Sequence, residues 1–422
     1  MPQQDLSRRA VVTGLGAVTP IGNDHPTFWR NLVAGVSGGG PITTFDPTGF
    51  DVRIAAEVKD FDPTIAMDRK MARRMSRFVH FAMAAGNEAV ADAGLDFSDW
   101  SPERRDRVAV AVNTGGGGME QVTIGSEVLR VKGPNSVSPF AFPALSASMA
   151  ACQLSMEHGL TGPVITQSAA CATSIICFLD ALRMIQRGEV DVVLAGGTEA
   201  PLLPIGFAAL GNMHALSRRN DEPQRASRPF DRNRDGFVYG EGAGVVIVES
   251  AQHALDRGAT IHAELIGAAL TADAFHISAP EPTGRGACMA MTKAMQDAGV
   301  APDEVDYIAA HGTSTSLNDQ TETRAIKGAM GGHAHKVAIS ATKSMVGHTI
   351  GAAGVINAFA AIGAIREGVI APTINLEEPD LPELDLDYVP LVARQAKVDT
   401  AMINGFGFGG QNAVAVFRRF EV

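Results

Sequence analysis

Short apolar runs alternate with longer helical segments along the chain, and this alternation constrains the fold more than any other feature. The runs are rich in Val, Ile and Ala on both faces, as is typical of strands covered on both sides; they span 10–13, 108–112, 190–195, 244–248, 337–340 and 413–417. The helical segments lead to a glycine suited to a C-terminal cap; they span 78–93, 172–187, 285–298 and 351–366. Strands that alternate with helices predict an α/β fold.

Two pairs of segments indicate that the chain repeats itself. EAVADAGL in the first part is similar to KAMQDAGV in the second, and each closes a helix. GEGAGVVIVES at 240–250 is similar to GFGGQNAVAVF at 407–417, where a glycine-rich turn enters a strand each time. Chance is the alternative in a chain rich in Gly and Ala, but we favour duplication. It predicts two similar halves, 1–258 and 259–422, with no Pro- or Ser-rich linker between them.

The composition excludes several classes of protein. Among 422 residues, 46 Asp and Glu outnumber 35 Lys and Arg, a net charge of −11, whereas nucleic-acid binders usually carry a basic face. The four cysteines form no CxxC pair, so neither a zinc site nor a disulfide framework is predicted. The apolar run after Arg9 is too short and too rich in glycine for a signal peptide or a spanning helix. We therefore expect a cytoplasmic protein that binds neither nucleic acid nor membrane.

Glycine is unusually frequent, with 45 residues in the chain against an average usage of about 7%. The glycines cluster between apolar runs, which favours tight turns and close backbone approach over disorder. The clusters include GGGG at 115–118, GEGAG at 240–244 and GFGFGG at 405–410. Two backbone amides of the last cluster could bind an oxyanion.

Cys171 lies where an apolar stretch, 163–167, gives way to a strong amphipathic helix. A thiol at a helix N-terminus faces the positive end of the helix dipole, which favours the nucleophilic thiolate. The alternative is a small buried cysteine that packs like alanine, which is the commoner role of a free cysteine. Cys177, farther along the same helix, is predicted to belong to the core.

Two histidines and a lysine follow predicted strands in the second half of the chain. His311 lies just past one strand and precedes Thr313 and Thr315, and Lys343 and His348 share a turn-rich segment after another strand. Functional sites of α/β proteins form at such strand ends. A lone histidine is usually structural, but three such groups at strand ends favour a site.

Four further segments are weaker indications of a function. GLGAVTPIG and GFGFGG lack the spacing of a dinucleotide-binding GxGxxG motif. DRNRDGFVYGEG imitates a calcium loop, but Gly242 stands where the bidentate glutamate belongs, so we predict no metal. A basic cluster is either a solvated helix face or a docking site for an acidic partner, and the residues alone slightly favour the first; it includes Lys70, Arg73, Arg74 and Arg77.

Six motifs occur in an order that resembles the β-ketoacyl-acyl carrier protein synthases of the thiolase-like superfamily, and most of all the elongating condensing enzymes. They are VVTGLGAVTPIG, the Cys171 segment, SRPFDRNRDGFVYGEGAG, HGTSTSLND, TKSMVGHTIGAAG and GFGFGG. The resemblance implies a thiolase-like five-layer αβαβα fold with two duplicated halves. It also implies an acyltransferase that condenses malonyl-acyl carrier protein, with loss of carbon dioxide, onto a cysteine-bound acyl chain and so extends fatty acids by two carbons.

The resemblance further implies a role for each of the singled-out residues. Cys171 matches the acylated nucleophile, His311 and His348 match the pair that promotes decarboxylation, and Lys343 matches the lysine beside them. The backbone amides of Cys171 and Phe408 match the oxyanion hole, with Phe408 as the gate. The remaining matches are the pantetheine-holding Thr313 and Thr315, the malonyl-site Phe237, the buried structural carboxylates Asp319 and Glu322, and the carrier-protein patch of Lys70, Arg73, Arg74 and Arg77.

The implied partner is acyl carrier protein, whose phosphopantetheine carries the substrates, so no cofactor is expected beyond it. The implied assembly is a homodimer. One alternative is the ketosynthase subunit of a type II polyketide synthase, which would form a heterodimer with a chain-length factor. A second alternative is a non-catalytic scaffold that binds carrier protein.

Three residues depart from the family pattern. Asn357 stands where elongating synthases usually have a glutamate near Lys343, which changes the electrostatic setting of that lysine and of any bound monovalent cation. Gly116 and Ala141 replace bulky residues of the acyl pocket. We therefore expect a wider or longer pocket that accepts long or rigid acyl chains.

Overall fold

The structure, a computed structural model, describes residues 5–422. Its strands are β1 (Ala10–Val18), β2 (Gly40–Pro41), β3 (Ile54–Ala55), β4 (Val108–Asn113), β5 (Val164–Ile165), β6 (Val192–Glu199), β7 (Gly242–Ser250), β8 (Ala263–Ala272), β9 (Tyr307–Ala309), β10 (Ala338–Ser340), β11 (Val369–Ile370), β12 (Arg394–Gln395), β13 (Thr400–Gly407) and β14 (Gln411–Arg418). Its helices are α1 (His25–Val33), α2 (Arg69–Ala72), α3 (Arg77–Asp92), α4 (Pro102–Arg105), α5 (Met119–Lys132), α6 (Ala141–Leu145), α7 (Met149–His158), α8 (Thr173–Arg187), α9 (Pro204–Asn212), α10 (Ala251–Asp256), α11 (Arg285–Ala298), α12 (Ser316–Met330), α13 (Lys343–Val346) and α14 (Ala353–Glu367). Strands and helices thus alternate, as the apolar pattern predicts.

Ten strands form one continuous hydrogen-bonded sheet in the order β10-β9-β13-β14-β8-β1-β7-β6-β4-β5. From β1 outward, β7 is antiparallel to β1, β6 is antiparallel to β7, and β4 and β5 follow in parallel. From β8 outward, β14, β13, β9 and β10 repeat the same orientations. The topology therefore contains the same five-stranded unit twice. The predicted division after residue 258 falls between α10 and β8, where the chain passes from one unit to the other.

The helices form layers on the two five-stranded units of the sheet. α3 packs on β1 and β7, and α11 packs on β8 and β14, so each covers the outer side of its own unit. α8 and α14 contact each other and reach strands of both units, which places them in the central layer. Every side chain of α14 from Ala353 to Ile365 is buried. A stretch that includes this helix, Ile350–Glu367, is apolar and long enough to cross a membrane, but 83% of its 18-residue window lies inside the fold, as in a core helix.

Glycines of β1 permit the close packing of α3. A Cβ at Gly14 or Gly16 would lie well inside van der Waals contact with the carbonyl oxygens of Ala89 or Ala85. The backbone of the helix therefore lies directly on the strand. The glycine-rich start of the chain follows from this contact, as the clustering of glycines between apolar runs predicts.

Candidate active site

Cys171 lies in a short 3₁₀ turn, Ala170–Ala172, that leads directly into α8. Ala170 has a φ of 48°, in the left-handed region that a residue with a Cβ rarely adopts. The hydroxyl of Thr173 stabilises the turn, because it accepts the N–H of Ala169 at 2.8 Å and donates to the carbonyl of Ala170 at 2.6 Å. The thiol thus lies at the start of the helix, where the sequence places it.

The thiol of Cys171 is buried, with 5% of the residue exposed. Burial raises its pKa to about 11, while the charge of Lys343 and the backbone N–H of Phe408 lower it. Position at a helix N-terminus alone predicts a thiolate, so this expectation is incomplete: burial outweighs the favourable charges. The thiol is protonated at neutral pH and needs a base as it attacks a thioester.

His311 follows β9 directly, and its backbone is fixed by two charged side chains. The carboxylate of Glu322 accepts the N–H of His311 and the N–H of Gly312, both at 2.7 Å. The ammonium group of Lys343 donates to the carbonyl of His311 at 2.6 Å. Burial lowers the pKa of Lys343 to about 8, and Glu322 opposes that shift. The lysine therefore titrates close to neutral pH.

His348 is held by the segment that leads into β7. Its backbone N–H donates to the carbonyl of Val238 at 2.7 Å, and its carbonyl accepts the N–H of Gly240 at 3.0 Å. Its Nδ1 accepts the N–H of Ile350 at 3.2 Å, so a neutral ring carries its proton on Nε2. Burial and the nearby charge of Lys343 hold the pKa of His348 well below its usual value.

The three predicted catalytic side chains from both halves meet at one point. The sulfur of Cys171 and one ring nitrogen each of His311 and His348 lie within 4.8 Å of one another. The pKa of His311 is also held well below its usual value by burial and by Lys343, so both rings are neutral at pH 7. Sulfur and imidazole nitrogen are ligand types that bind Zn²⁺, but the positive charge of Lys343 beside them opposes a cation.

A cavity of 340 Å³ opens onto this cluster, and many predicted site residues line it, including Cys171, Phe237, His311, Thr313, Thr315, Glu322, His348 and Phe408. The hydroxyls of Thr313 and Thr315 bond to each other at 2.9 Å. The ring of Phe237 packs edge-on against His348, with centroids 5.2 Å apart. Asp319 lies behind this wall, fully buried, and accepts the N–H of Phe230 at 2.8 Å.

The glycine-rich end of β13 lies against the Cys171 turn. A Cβ at Gly407 would lie 2.5 Å from the carbonyl oxygen of Ala169 and 3.1 Å from the nitrogen of Cys171. Only glycine allows this approach, and it brings the N–H of Phe408 to the sulfur of Cys171. The side chain of Phe408 is 37% exposed. The backbone N–H of Cys171 also interacts with this sulfur, and the oxyanion role of the two amides stays a prediction.

Glu199 is a site residue that the sequence analysis missed. Its buried carboxylate accepts the N–H of Gly115 at 2.7 Å, the N–H groups of Gly116 and Gly351 at 3.0 Å, and the hydroxyl of Thr114 at 3.0 Å. Its charge also raises the pKa of the catalytic thiol. The sequence clue was the position of Glu199 soon after two glycines at the end of a predicted buried strand, because a carboxylate buried there needs hydrogen-bond donors.

Arg77, a member of the predicted carrier-protein patch, forms an ion pair with a buried residue. Its guanidinium forms a two-point ion pair with the buried carboxylate of Glu241, at 2.8 and 2.9 Å. It also lies over the ring of Phe81, 4.6 Å from the centroid. Arg77 therefore has a structural role as the partner of a buried carboxylate, although 36% of its side chain is exposed.

The other members of the basic cluster remain at the surface. Lys70 and Arg73 are exposed, and Arg74 is half-buried with its guanidinium 4.2 Å from the ring centroid of Phe140. Lys70 and Arg73 are therefore the most accessible charges of the predicted patch.

Neither Gly116 nor Ala141 is among the described residues that line the cavity at Cys171. Gly116 is exposed, and a Cβ there would lie 3.1 Å from the sulfur of Met119 and 3.4 Å from an oxygen of Glu199. Ala141 begins α6 and is half-buried. The wider acyl pocket stays a prediction. The neighbouring Gly115 is the glycine with a steric reason, because a Cβ there would lie 2.7 Å from an oxygen of Glu199.

Comparison with known proteins agrees with this geometry. The family model described as "Beta-ketoacyl synthase, N-terminal domain" matches residues 7–254, and that of the C-terminal domain matches 262–377. The 3-oxoacyl-[acyl-carrier-protein] synthase 2 of Synechocystis sp. is 48% identical over 414 residues, which cover 98% of this chain and 99% of that protein.

Two solved structures are also similar over 98% of this chain and 100% of theirs. The ishigamide ketosynthase/chain length factor superposes with a TM-score of 0.91 at 36% identity. AntDE:AntF, a type II polyketide synthase acyl-carrier protein in complex with its ketosynthase, superposes with a TM-score of 0.88 at 34% identity.

The fold and the site define a thiolase-like condensing enzyme, and the chain belongs to the β-ketoacyl synthase family. The predictions of this fold class and of an acyltransferase are confirmed. The prediction of an elongating β-ketoacyl-acyl carrier protein synthase is confirmed as well, and the polyketide alternative is not favoured.

Proposed function

We propose that Cys171, His311, His348 and Lys343 carry out the two half-reactions of this synthase. The observation that carries the proposal is the convergence of the Cys171 sulfur and two neutral imidazoles within 4.8 Å in one cavity. In the first half-reaction, the thiol attacks an acyl thioester of the carrier protein. One imidazole accepts the thiol proton, which passes to the departing phosphopantetheine thiol. The amides of Cys171 and Phe408 stabilise the tetrahedral oxyanion.

In the second half-reaction, malonyl-carrier protein enters the same cavity. Its carboxylate leaves as carbon dioxide, and the electron pair of the broken bond becomes an enolate whose oxygen takes hydrogen bonds from Nε2 of His348 and from His311. The enolate carbon attacks the acyl-Cys171 carbonyl, which expels the thiolate. One proton from the solvent restores the thiol, so the products are the β-ketoacyl-carrier protein and carbon dioxide.

Lys343 supplies positive charge without touching the leaving carboxylate directly in this scheme. It donates to the carbonyl of His311, and its charge adds to the effect of burial, which lowers the pKa of both imidazoles and keeps them neutral. A neutral imidazole can donate a hydrogen bond to the enolate oxygen without transferring its proton, so the enolate stays free to attack the acyl group. Lys343 is therefore assigned an electrostatic role rather than a proton-transfer role.

The carrier protein and its arm have separate contact sites in this proposal. The paired hydroxyls of Thr313 and Thr315 line the cavity and suit the amides of phosphopantetheine. Lys70 and Arg73 are exposed basic groups on a chain of net charge −11, and they suit an acidic carrier surface. No cofactor beyond the phosphopantetheine arm is required by these steps.

A homodimer is the proposed assembly. α5 buries none of its side chains within the chain, and it carries a group of exposed apolar residues together with α6; they are Met119, Val122, Ile124, Leu129, Val131 and Phe142. β5 is an edge strand of the main sheet. Exposed apolar patches and unpaired strand edges are features of interfaces. A purified chain that scatters light as a dimer supports this assembly, and a chain that dimerises only with a cysteine-less homologue supports the heterodimer alternative.

Intact-protein mass spectrometry after incubation with an acyl-carrier substrate tests the proposed nucleophile. The wild type and Cys177→Ala should each gain one acyl group, because Cys177 is buried in α8 and does not line the cavity. Cys171→Ala should gain none. Acylation of folded Cys171→Ala to the wild-type extent would refute the assignment.

A further inference from the structure

The side-chain amide of Asn357, on the central helix α14, contacts three separate parts of the active site. Its Oδ1 accepts the hydroxyl of Thr342 at 2.7 Å. Its Nδ2 is directed at three backbone carbonyl oxygens, those of Ala310 at 2.9 Å, Asn404 at 3.2 Å and Ala309 at 3.4 Å. Asn357 is fully buried, so no solvent shares these contacts.

The contacted residues stand next to the proposed catalytic groups in the chain. Ala310 directly precedes His311, and Thr342 directly precedes Lys343. Asn404 lies on β13, four residues before Phe408. One side-chain amide therefore holds the backbone of three segments in place, and these segments supply the imidazole of His311, the ammonium group of Lys343 and the oxyanion amide of Phe408.

The chemistry of the contacts requires a donor at this point. Three carbonyl oxygens lie within 3.4 Å of a single atom, and convergent carbonyl oxygens form a site that either an N–H donor or a cation must satisfy. The three acceptors also fix the amide orientation, with nitrogen towards the carbonyls and oxygen towards Thr342. A carboxylate at position 357 would face the same oxygens with negative charge and no donor.

We propose that Asn357 is a positioning residue, which fixes His311, Lys343 and Phe408 relative to one another through a neutral amide in the place of a monovalent cation. Catalysis by this chain is then independent of potassium and sodium. The inference rests on the proposed function, because it concerns the same catalytic groups.

The charge at position 357 also bears on Lys343. The carboxylates that raise the pKa of this lysine are Glu322 and Asp319, both on α12. The thiol of Cys171 acts in the same direction. The neutral Asn357 leaves this balance as it is, whereas a carboxylate in its place would hold the proton on the lysine to higher pH.

The test measures condensation at fixed ionic strength with potassium, sodium or tetramethylammonium as the only cation. Wild-type kcat should be the same in the three salts. Asn357→Asp, which changes one atom, should lower kcat by about 10²-fold in tetramethylammonium, the cost of a site displaced by about 1 Å. Potassium or sodium should restore part of the lost kcat of this variant. The pH at which its rate falls should also be higher than in the wild type.

Asn31→Asp is the matched control, because the amide of Asn31 donates to one carbonyl, that of Ile21, outside the cavity. It should keep wild-type kcat in all three salts. If Asn357→Asp does not fold, Thr342→Val removes the partner of Oδ1 without adding charge and should lower kcat with little change in KM.

Each arm of the experiment decides one part of the inference. If the wild-type kcat falls when tetramethylammonium replaces potassium and sodium, the inference that the Asn357 amide takes the place of a cation is wrong. Wild-type kcat in Asn357→Asp, or in Thr342→Val where that variant is used, overturns the positioning role. Acyl labelling of Cys171 in the same samples tests the proposed function separately, since it does not depend on the salt.

Discussion

Gly407→Ala should slow catalysis through a single added methyl group. The Cβ would lie 2.5 Å from the carbonyl oxygen of Ala169 and 3.1 Å from the nitrogen of Cys171, whereas ordinary contacts begin at 3.4 Å. Both neighbours are backbone atoms of the nucleophile turn, so no flexible side chain can move aside. The end of β13 and the Cys171 turn must separate by about 0.9 Å to relieve the contact with Ala169.

This separation acts on the oxyanion amide, because Phe408 is the next residue. Loss of one oxyanion donor costs about 10²–10³ in kcat, and a displacement of about 1 Å costs about 10²-fold. We therefore expect kcat to fall by about 10²-fold, or ~2.7 kcal/mol of transition-state stabilisation. KM for the carrier substrates should change little, because the three atoms nearest to the added methyl group belong to Ala169, Ala170 and Cys171 and not to Thr313 or Thr315.

Steady-state condensation and the rate of Cys171 acylation by mass spectrometry provide the assay. Gly332→Ala is the matched control, since no atom lies within 4 Å of a Cβ there and the residue belongs to a short 3₁₀ turn, Gly331–His333, outside the cavity. Its kcat should equal that of the wild type. Wild-type kcat in folded Gly407→Ala would refute the argument that close backbone approach builds the oxyanion site.

Three other predictions concern charge. Because the pKa of Lys343 is about 8, its charge is present below that pH and lost above it. The rate of condensation should therefore fall as the pH rises through about 8. If Lys343→Met shows the same fall in its pH–rate profile, the electrostatic role assigned to Lys343 is contradicted. Arg73→Glu should raise KM for acyl carrier protein about tenfold at low salt, with an unchanged Tm, because an exposed charge acts on association. Arg77→Ala should instead lower the Tm, because it leaves the buried Glu241 unpaired; a normal Tm with a raised KM in that variant would support a role of Arg77 in the patch.

Much of the fold could be predicted from periodicity and glycine positions. The helix predicted over 285–298 is found as Arg285–Ala298, and it ends at Gly299, whose φ of 66° is the left-handed conformation expected of a cap. β8 and β13 were not among the predicted strands, whereas β9 was predicted as the strand that precedes His311. β13 contains Asn404, Gly405 and Gly407 near its end, and Glu264 and Gly267 interrupt the apolar residues of β8, so neither shows a long apolar run. Their place is set by pairing with neighbours rather than by their own composition.

The site was predictable as a set of residues but not as an electrostatic system. Strand ends and helix starts indicated Cys171, His311, Lys343 and His348, and the structure brings them together. Burial, however, reverses the expected effect of the helix terminus on the thiol. A linear sequence does not reveal how deeply a side chain is buried, and burial is the largest influence on the pKa of each of these four groups.

The GGGG cluster illustrates why glycines resist interpretation from sequence. A wide acyl pocket and a close backbone approach both require the absence of a side chain, so the residue type alone does not separate them. In the folded chain, the N–H groups of Gly115 and Gly116 bind the carboxylate of Glu199, which also binds Gly351 from the other half. The proposed nucleophile comes from the first half and both imidazoles come from the second, so this contact joins the two halves that supply the proposed catalytic groups. The glycine excess of this chain is therefore in part a requirement of that junction, independent of which acyl chain the enzyme accepts.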